Sequence, residues 1–261
     1  MLQNILPAEV TFNLEANMKI EYHEFFSSNL NRTMAFKSYG HSGKPVIVFP
    51  SSGGRFYEYE DFKMIDAVKD FINDGKFIFY TVDSVDNESW LAKGKWPGDM
   101  ARMHNAFDRY IVEEFIAFVK KHSGWDGPMV TTGCSMGGFH SANFYFRHPD
   151  VFDTVIALSG IYDIRFFVGN NISDVDVYLN SPVDYLKGMQ DSYYLDLYRK
   201  GRIIICTGQG NWEEDSIRDT ELLGKVLHDK GVPAWIDFWG YDVHHDWPWW
   251  RKQIVYFLNS L

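Results

Sequence analysis

Hydrophobic positions follow two different rhythms along this chain. Residues 18–25 and 32–39 alternate apolar and polar side chains with a period of two, and Ser27-Ser28-Asn29-Leu30-Asn31 lies at the junction. Alternate residues of a strand face opposite sides of a sheet, so this pair predicts an antiparallel hairpin at a sheet edge. Further on, residues 46–49, 77–80, 129–131, 154–158, 203–206 and 234–238 are apolar or nearly so throughout. Unbroken runs of that kind suit parallel strands buried on both faces. Between them lie amphipathic stretches, among them residues 99–121, 219–230 and 247–258, with apolar positions at helical spacing. Strand and helix in alternation predict an α/β fold: a mostly parallel, doubly wound sheet with an antiparallel N-terminal edge hairpin.

Length and charge narrow the picture. The chain has 261 residues, 17% of them aromatic and well spread, with no internal repeat and no low-complexity linker. A single α/β domain over residues 1–261 is expected. A net charge of −10 argues against nucleic acid or an anionic membrane as the main partner. No run approaches the apolar length of a membrane span, and the first nine residues lack a basic segment followed by an apolar one, so neither a span nor a signal peptide is expected. Cys134 and Cys206 close two of the apolar runs, where a reduced thiol acts as a small hydrophobe. A cytoplasmic protein without disulfides follows as an expectation.

Chemistry enters at Gly133-Cys134-Ser135-Met136-Gly137, which follows an apolar strand and precedes a helix-like segment. A G-x-S-x-G pentapeptide in that context holds its serine on a sharp strand-to-helix turn, with the hydroxyl standing above the sheet. Ser135 is therefore the candidate nucleophile. Its partners belong at the carboxyl ends of the later strands, where ligands bind in open α/β sheets. Two loops lie there, residues 207–215 and 240–247, so that serine, acid and histidine follow one another in that order. A serine hydroxyl needs an imidazole to take its proton, and the imidazole needs a carboxylate to fix its tautomer.

At these positions the chain resembles an esterase family of α/β-hydrolases whose relatives include S-formylglutathione hydrolases, feruloyl and enterochelin esterases, and mycolyltransferases. The markers are residues 133–138, Leu158-Ser159-Gly160-Ile161-Tyr162-Asp163, residues 180–186, Gln209-Gly210-Asn211-Trp212-Glu213 and His245-Asp246-Trp247-Pro248-Trp249-Trp250, and the resemblance runs from about Lys19 to the end. It implies the α/β-hydrolase fold and hydrolysis of esters. It also makes His245, rather than His244, the general base. For the acid it favours Glu213, with Glu214 and Asp163 as alternatives. His244, His245 and Asp246 as metal ligands are the weaker reading, because adjacent ligands lack a spaced partner.

Acyl transfer also needs backbone donors for the oxyanion. One is expected at the amide of Met136, the other in the loop of residues 50–57, where Ser52 and Gly53 both qualify. No His-Gly pair opens that loop, in contrast to lipases. Trp247, Trp249 and Trp250 are expected to pack against the sheet. His104, His122, His140, His148 and His228 are expected at the surface or in satisfied packing positions. Asp83 and Asp86 either border the pocket or end a strand. The connection carrying Trp90 and Trp96 is long enough to overhang the site and wall an acyl pocket.

These residues point to a serine carboxylesterase or thioesterase that cleaves small soluble acyl esters through a Ser-Glu-His triad and an acyl-enzyme. An acyltransferase of the same family, or a binding module without hydrolysis, stays open. No cofactor or metal is called for. The partner is the small acyl ester itself, and association with further copies of the chain is left open.

Overall fold

The computed structural model describes residues 18–261; the first nine residues, on which the expectation about a signal peptide rests, lie outside them. An eight-stranded sheet organises the chain: β1 (Ile20–Ser27), β2 (Arg32–Tyr39), β3 (Lys44–Phe49), β4 (Phe77–Val82), β5 (Met129–Cys134), β6 (Phe152–Leu158), β7 (Arg202–Thr207) and β8 (Trp235–Phe238), in the order β1-β2-β4-β3-β5-β6-β7-β8. The pairs β1/β2 and β2/β4 are antiparallel, and every other pair is parallel. The doubly wound sheet with its antiparallel edge is thus present. The first strand of the hairpin lies two residues later than its alternation suggests. Its register runs from Ile20 opposite Tyr39 to Ser27 opposite Arg32, and Ser27 Oγ accepts the Leu30 amide at 3.1 Å to close the turn.

Period two explains why the central strands are apolar on both sides. Val46 and Val48 of β3 join Phe79, Val130, Ile156 and Ile204 in one core, against α2 (Met64–Asn73), which follows the short α1 (Glu58–Asp61), and against the last helix. Ile47 and Phe49 face the other way and join Tyr80, Ala157 and Ile205 in the second core. That core is covered by α3 (Pro97–Arg109), α4 (Ile116–Ser123), α5 (Met136–Arg147), α8 (Pro182–Gly188), α9 (Ser192–Lys200) and α10 (Glu214–Asp229), while α11 (Trp247–Leu258) covers the first. Two short helices, α6 (Arg165–Val168) and α7 (Val175–Tyr178), lie between β6 and α8.

The amphipathic stretch of residues 99–121 is interrupted by a π-helical turn, Tyr110–Phe115, between α3 and α4. The extra residue keeps Tyr110, Ile111 and Phe115 all buried, with Phe115 edge-on to Phe36 at 5.0 Å. Likewise α10 begins at Glu214, five residues before its apolar periodicity does. No helix among the described residues is long and apolar enough to cross a membrane. Because β3 and β5 to β8 are parallel, the loops after them open on one edge of the sheet, and the candidate residues gather there.

Candidate active site

Ser135 sits between β5 and α5 with φ 55° and ψ −119°. That left-handed φ is costly for a residue with a side chain and persists only where the surroundings impose it. Here the Ser135 amide donates to Leu158 O at 2.8 Å, and its carbonyl accepts from the Gly138 and Phe139 amides at 2.9 and 3.2 Å. The flanking glycines are required by close approach. A Cβ on Gly133 would stand 2.5 Å from the Gly137 carbonyl carbon, and one on Gly137 would strike the Phe49 carbonyl oxygen. The amide of Met136, first in α5, has no acceptor within the helix.

Glu213 and His245 are brought together from the loops after β7 and β8. Nδ1 of His245 lies 3.0 Å from Glu213 Oε2. A buried carboxylate only accepts, so Nδ1 carries the proton and Nε2 is left basic. Glu213 is fully buried, and its oxygens also accept from Thr207 Oγ1 at 3.0 Å, Ser159 Oγ at 2.6 Å and the Gly208 amide at 3.3 Å. The other acids stand apart: Glu214 is exposed, and Asp163 Oδ1 accepts from Arg165 N and Nη1, each at 2.9 Å. Nδ1 of His244 accepts from the Asn211 amide at 2.9 Å. Asp246 caps α11 through the Trp247 amide at 2.7 Å, so His244, His245 and Asp246 do not converge as ligands.

Two residues of this network were not foreseen as part of the site. Ser159, at φ 51°, is buried at the end of β6. Its hydroxyl donates to Glu213 and accepts from Trp250 Nε1 at 3.0 Å. The same indole meets the His245 ring edge-on, 4.9 Å between centroids and 83° between planes. A polar residue closing an apolar strand was the available signal for Ser159; for Trp250 only its place among apolar helix positions was visible.

Ser135, Met136 and His245 line one cleft of about 190 Å³, with Ser52, Phe167 and Trp212. Gly53 is not part of that lining. The Ser51 amide and hydroxyl both bond the Glu58 carboxylate, at 2.8 and 2.6 Å, and the next residue, Ser52, shares the cleft with Ser135. Burial raises the Glu58 pKa, opposed by its bonds from Ser51. Asp83 does not border the cleft. It anchors this loop, accepting from Arg55 Nε at 2.7 Å, Arg55 Nη2 at 2.9 Å and the Phe56 amide at 3.0 Å.

A second cavity of about 430 Å³ adjoins the first through Phe166 and Phe167, and Trp90 lines it while Trp96, 58% exposed, does not. The remaining histidines are mixed. His122 and His148 are half-buried and partnered, and His228 is exposed. His104 and His140 are fully buried, contrary to a surface placement, and Nδ1 of each lacks a partner among the described residues. His140 Nε2 meets buried Asp86 at 2.8 Å, which makes Asp86 a core residue. Burial lowers the His104 pKa well below its ordinary value.

Among solved structures, this chain is similar to a ferulic acid esterase with a TM-score of 0.73 and 19% identity, covering 93% of this chain and 96% of that one. An S-formylglutathione hydrolase of Staphylococcus aureus gives a TM-score of 0.66 at 16% identity, over 93% and 96% of the two chains. A ferulic acid esterase of Anaeromyces mucronatus gives 0.71 at 11%, over 100% and 97%. Identities this low show the shared fold. No curated protein matches the sequence. The family model described as "Putative esterase" matches residues 27–260, and on that match the chain belongs to this family of esterases with the α/β-hydrolase fold.

Proposed function

We propose that this esterase is a serine hydrolase of small acyl esters in which Ser135 is the nucleophile, His245 the general base and Glu213 the acid. The observation that carries the reading is the bond of 3.0 Å between His245 Nδ1 and a fully buried Glu213, in a chain whose Ser135 shares one cleft with His245. Nε2 of His245 takes the proton of Ser135 Oγ as that oxygen attacks the ester carbonyl carbon. The negative charge that forms on the carbonyl oxygen is met by the amides of Met136 and Ser52. Collapse breaks the bond to the alcohol oxygen, which leaves with the proton held by His245. Water then repeats the sequence on the acyl-enzyme and releases the acid. The size of the cleft favours a short acyl group, and the neighbouring cavity behind Phe166 and Phe167 offers room for a bulkier substituent. Cys134 and Cys206, both free and buried, agree with a cytoplasmic setting.

The test is labelling with a fluorophosphonate, with the modified peptide located by mass spectrometry, beside hydrolysis of p-nitrophenyl esters of increasing acyl length. Expected are a single adduct on Ser135 and rates that fall as the acyl chain lengthens. Absence of both adduct and turnover would leave a binding module. Acyl transfer to an added alcohol in preference to water would make the protein an acyltransferase.

A further inference from the structure

At the far edge of the sheet, three ligating side chains converge away from the nucleophile. Glu21 and His23, two residues apart on β1, share its inward face, and His122 comes from the last turn of α4. One ligating atom of each lies within 4.8 Å of the other two, and all three residues are half-buried. His122 Nε2 is 3.1 Å from Glu21 Oε2, and the rings of His23 and His122 stand edge to face at 5.1 Å.

The opposite nitrogens of the two rings are already engaged. His122 Nδ1 meets the hydroxyl of Tyr80 at 2.7 Å, and His23 Nε2 meets the hydroxyl of Ser38 at 2.9 Å. Tyr80 and Ser38 are both fully buried. Metal-bound histidines are commonly oriented in this way, by a bond from the nitrogen that does not touch the ion. It leaves His23 Nδ1 and His122 Nε2 as the nitrogens without a hydroxyl partner.

We propose that Glu21, His23 and His122 bind a divalent cation of the zinc class, clamping the edge strand β1 to α4. Two imidazoles and one carboxylate, with water in the fourth place, are a zinc donor set; magnesium and calcium prefer oxygen ligands throughout. Donors about 2.1 Å from a tetrahedral ion stand roughly 3.4 Å from one another; His122 Nε2 and Glu21 Oε2, 3.1 Å apart, already stand near that spacing, and His23, within 4.8 Å of both, needs only a small shift to join them. Lys19, which pairs with Glu21 at 2.8 Å and is 54% exposed on its side chain, gives way to the ion. In the strand order β1-β2-β4-β3-β5 the site lies four strands from β5, about 19 Å at the usual spacing. The ion therefore takes no part in ester cleavage, and the site stands independently of the proposed mechanism.

Full-length protein stripped with EDTA is titrated with zinc by calorimetry, and with cobalt followed by its visible absorption. Expected are one saturable ion per chain, the visible bands of tetrahedral cobalt, and a rise in Tm on adding zinc. His122→Gln and His23→Ala should each weaken binding by about tenfold or more and abolish the rise in Tm, while His228→Ala and His245→Ala leave binding unchanged. Persistence of p-nitrophenyl acetate turnover in His122→Gln and His23→Ala shows that they fold. No saturable binding, binding retained in both of these variants, or binding lost only in His245→Ala overturns the proposal.

Discussion

The indole nitrogen of Trp250 donates to the hydroxyl oxygen of Ser159 at 3.0 Å. The Ser159 hydroxyl in turn donates a hydrogen bond to Glu213 Oε1 at 2.6 Å, so the last helix, the end of β6 and the carboxylate beside His245 form one chain of donors. Removing a donor from a buried carboxylate leaves it with one bond fewer to fix its position beside His245. Ser159→Ala should therefore lower kcat about tenfold at nearly unchanged KM. Trp250→Phe should lower kcat by less. An unchanged kcat in both variants would reduce the two residues to packing.

Ser135→Ala should cut p-nitrophenyl acetate turnover by about 10⁴-fold or more and leave the fold intact. Alanine at φ 55° bears the same backbone strain as serine does there. Substantial residual activity, measured with circular dichroism as the check on folding, would remove Ser135 from the chemistry.

Glu213→Gln should cost on the order of 10⁴-fold in turnover, the size of effect known for the serine-protease aspartate. Glu214→Gln should stay within about twofold, because an exposed carboxylate at a helix start contributes little beyond its dipole interaction. Equal, mild losses in the two variants would return Asp163 to consideration as the acid.

Glu58 carries a pH signature in stability. Burial raises its pKa in the folded chain, so the protonated form is the favoured one, and its contribution is complete below the unfolded-state pKa and lost as pH rises through the folded one. Glu58→Gln removes that ionisation while keeping an acceptor for Ser51. The stability of the native chain relative to this variant should fall as pH rises above the ordinary glutamate pKa of about 4.3, read from urea melts. A difference that is flat with pH, or that grows, would contradict the buried charge.

Much of the architecture was legible because parallel strands announce themselves. Buried on both faces, β3 to β7 have no option but unbroken apolar runs. Helix starts were less visible: Glu214 to Arg218 are mostly charged or polar, and the beginning of α10 follows from Glu213 being held by its neighbours, not from periodicity. In α9, Ser192–Lys200, only Tyr198 is buried, too little to mark a helix. The strand-to-helix turn that carries Ser135 was legible because it is a local device of five residues. The choice between Glu213 and Glu214 was not, since adjacent carboxylates differ only in which one the fold buries. Ser159 and Trp250 are 91 residues apart in sequence, and a bond made by tertiary contact leaves no trace in either segment alone.

Phe166 and Phe167 stand on α6, a helix of four residues, whereas the groups proposed to react stand at the ends of β5, β7 and β8. Selection for a new ester can therefore act on the wall between the two cavities without disturbing the elbow or the carboxylate network. Laboratory evolution of this enzyme should accumulate its specificity changes at positions 166 and 167, with little loss of thermal tolerance, and should leave Ser159 and Trp250 untouched.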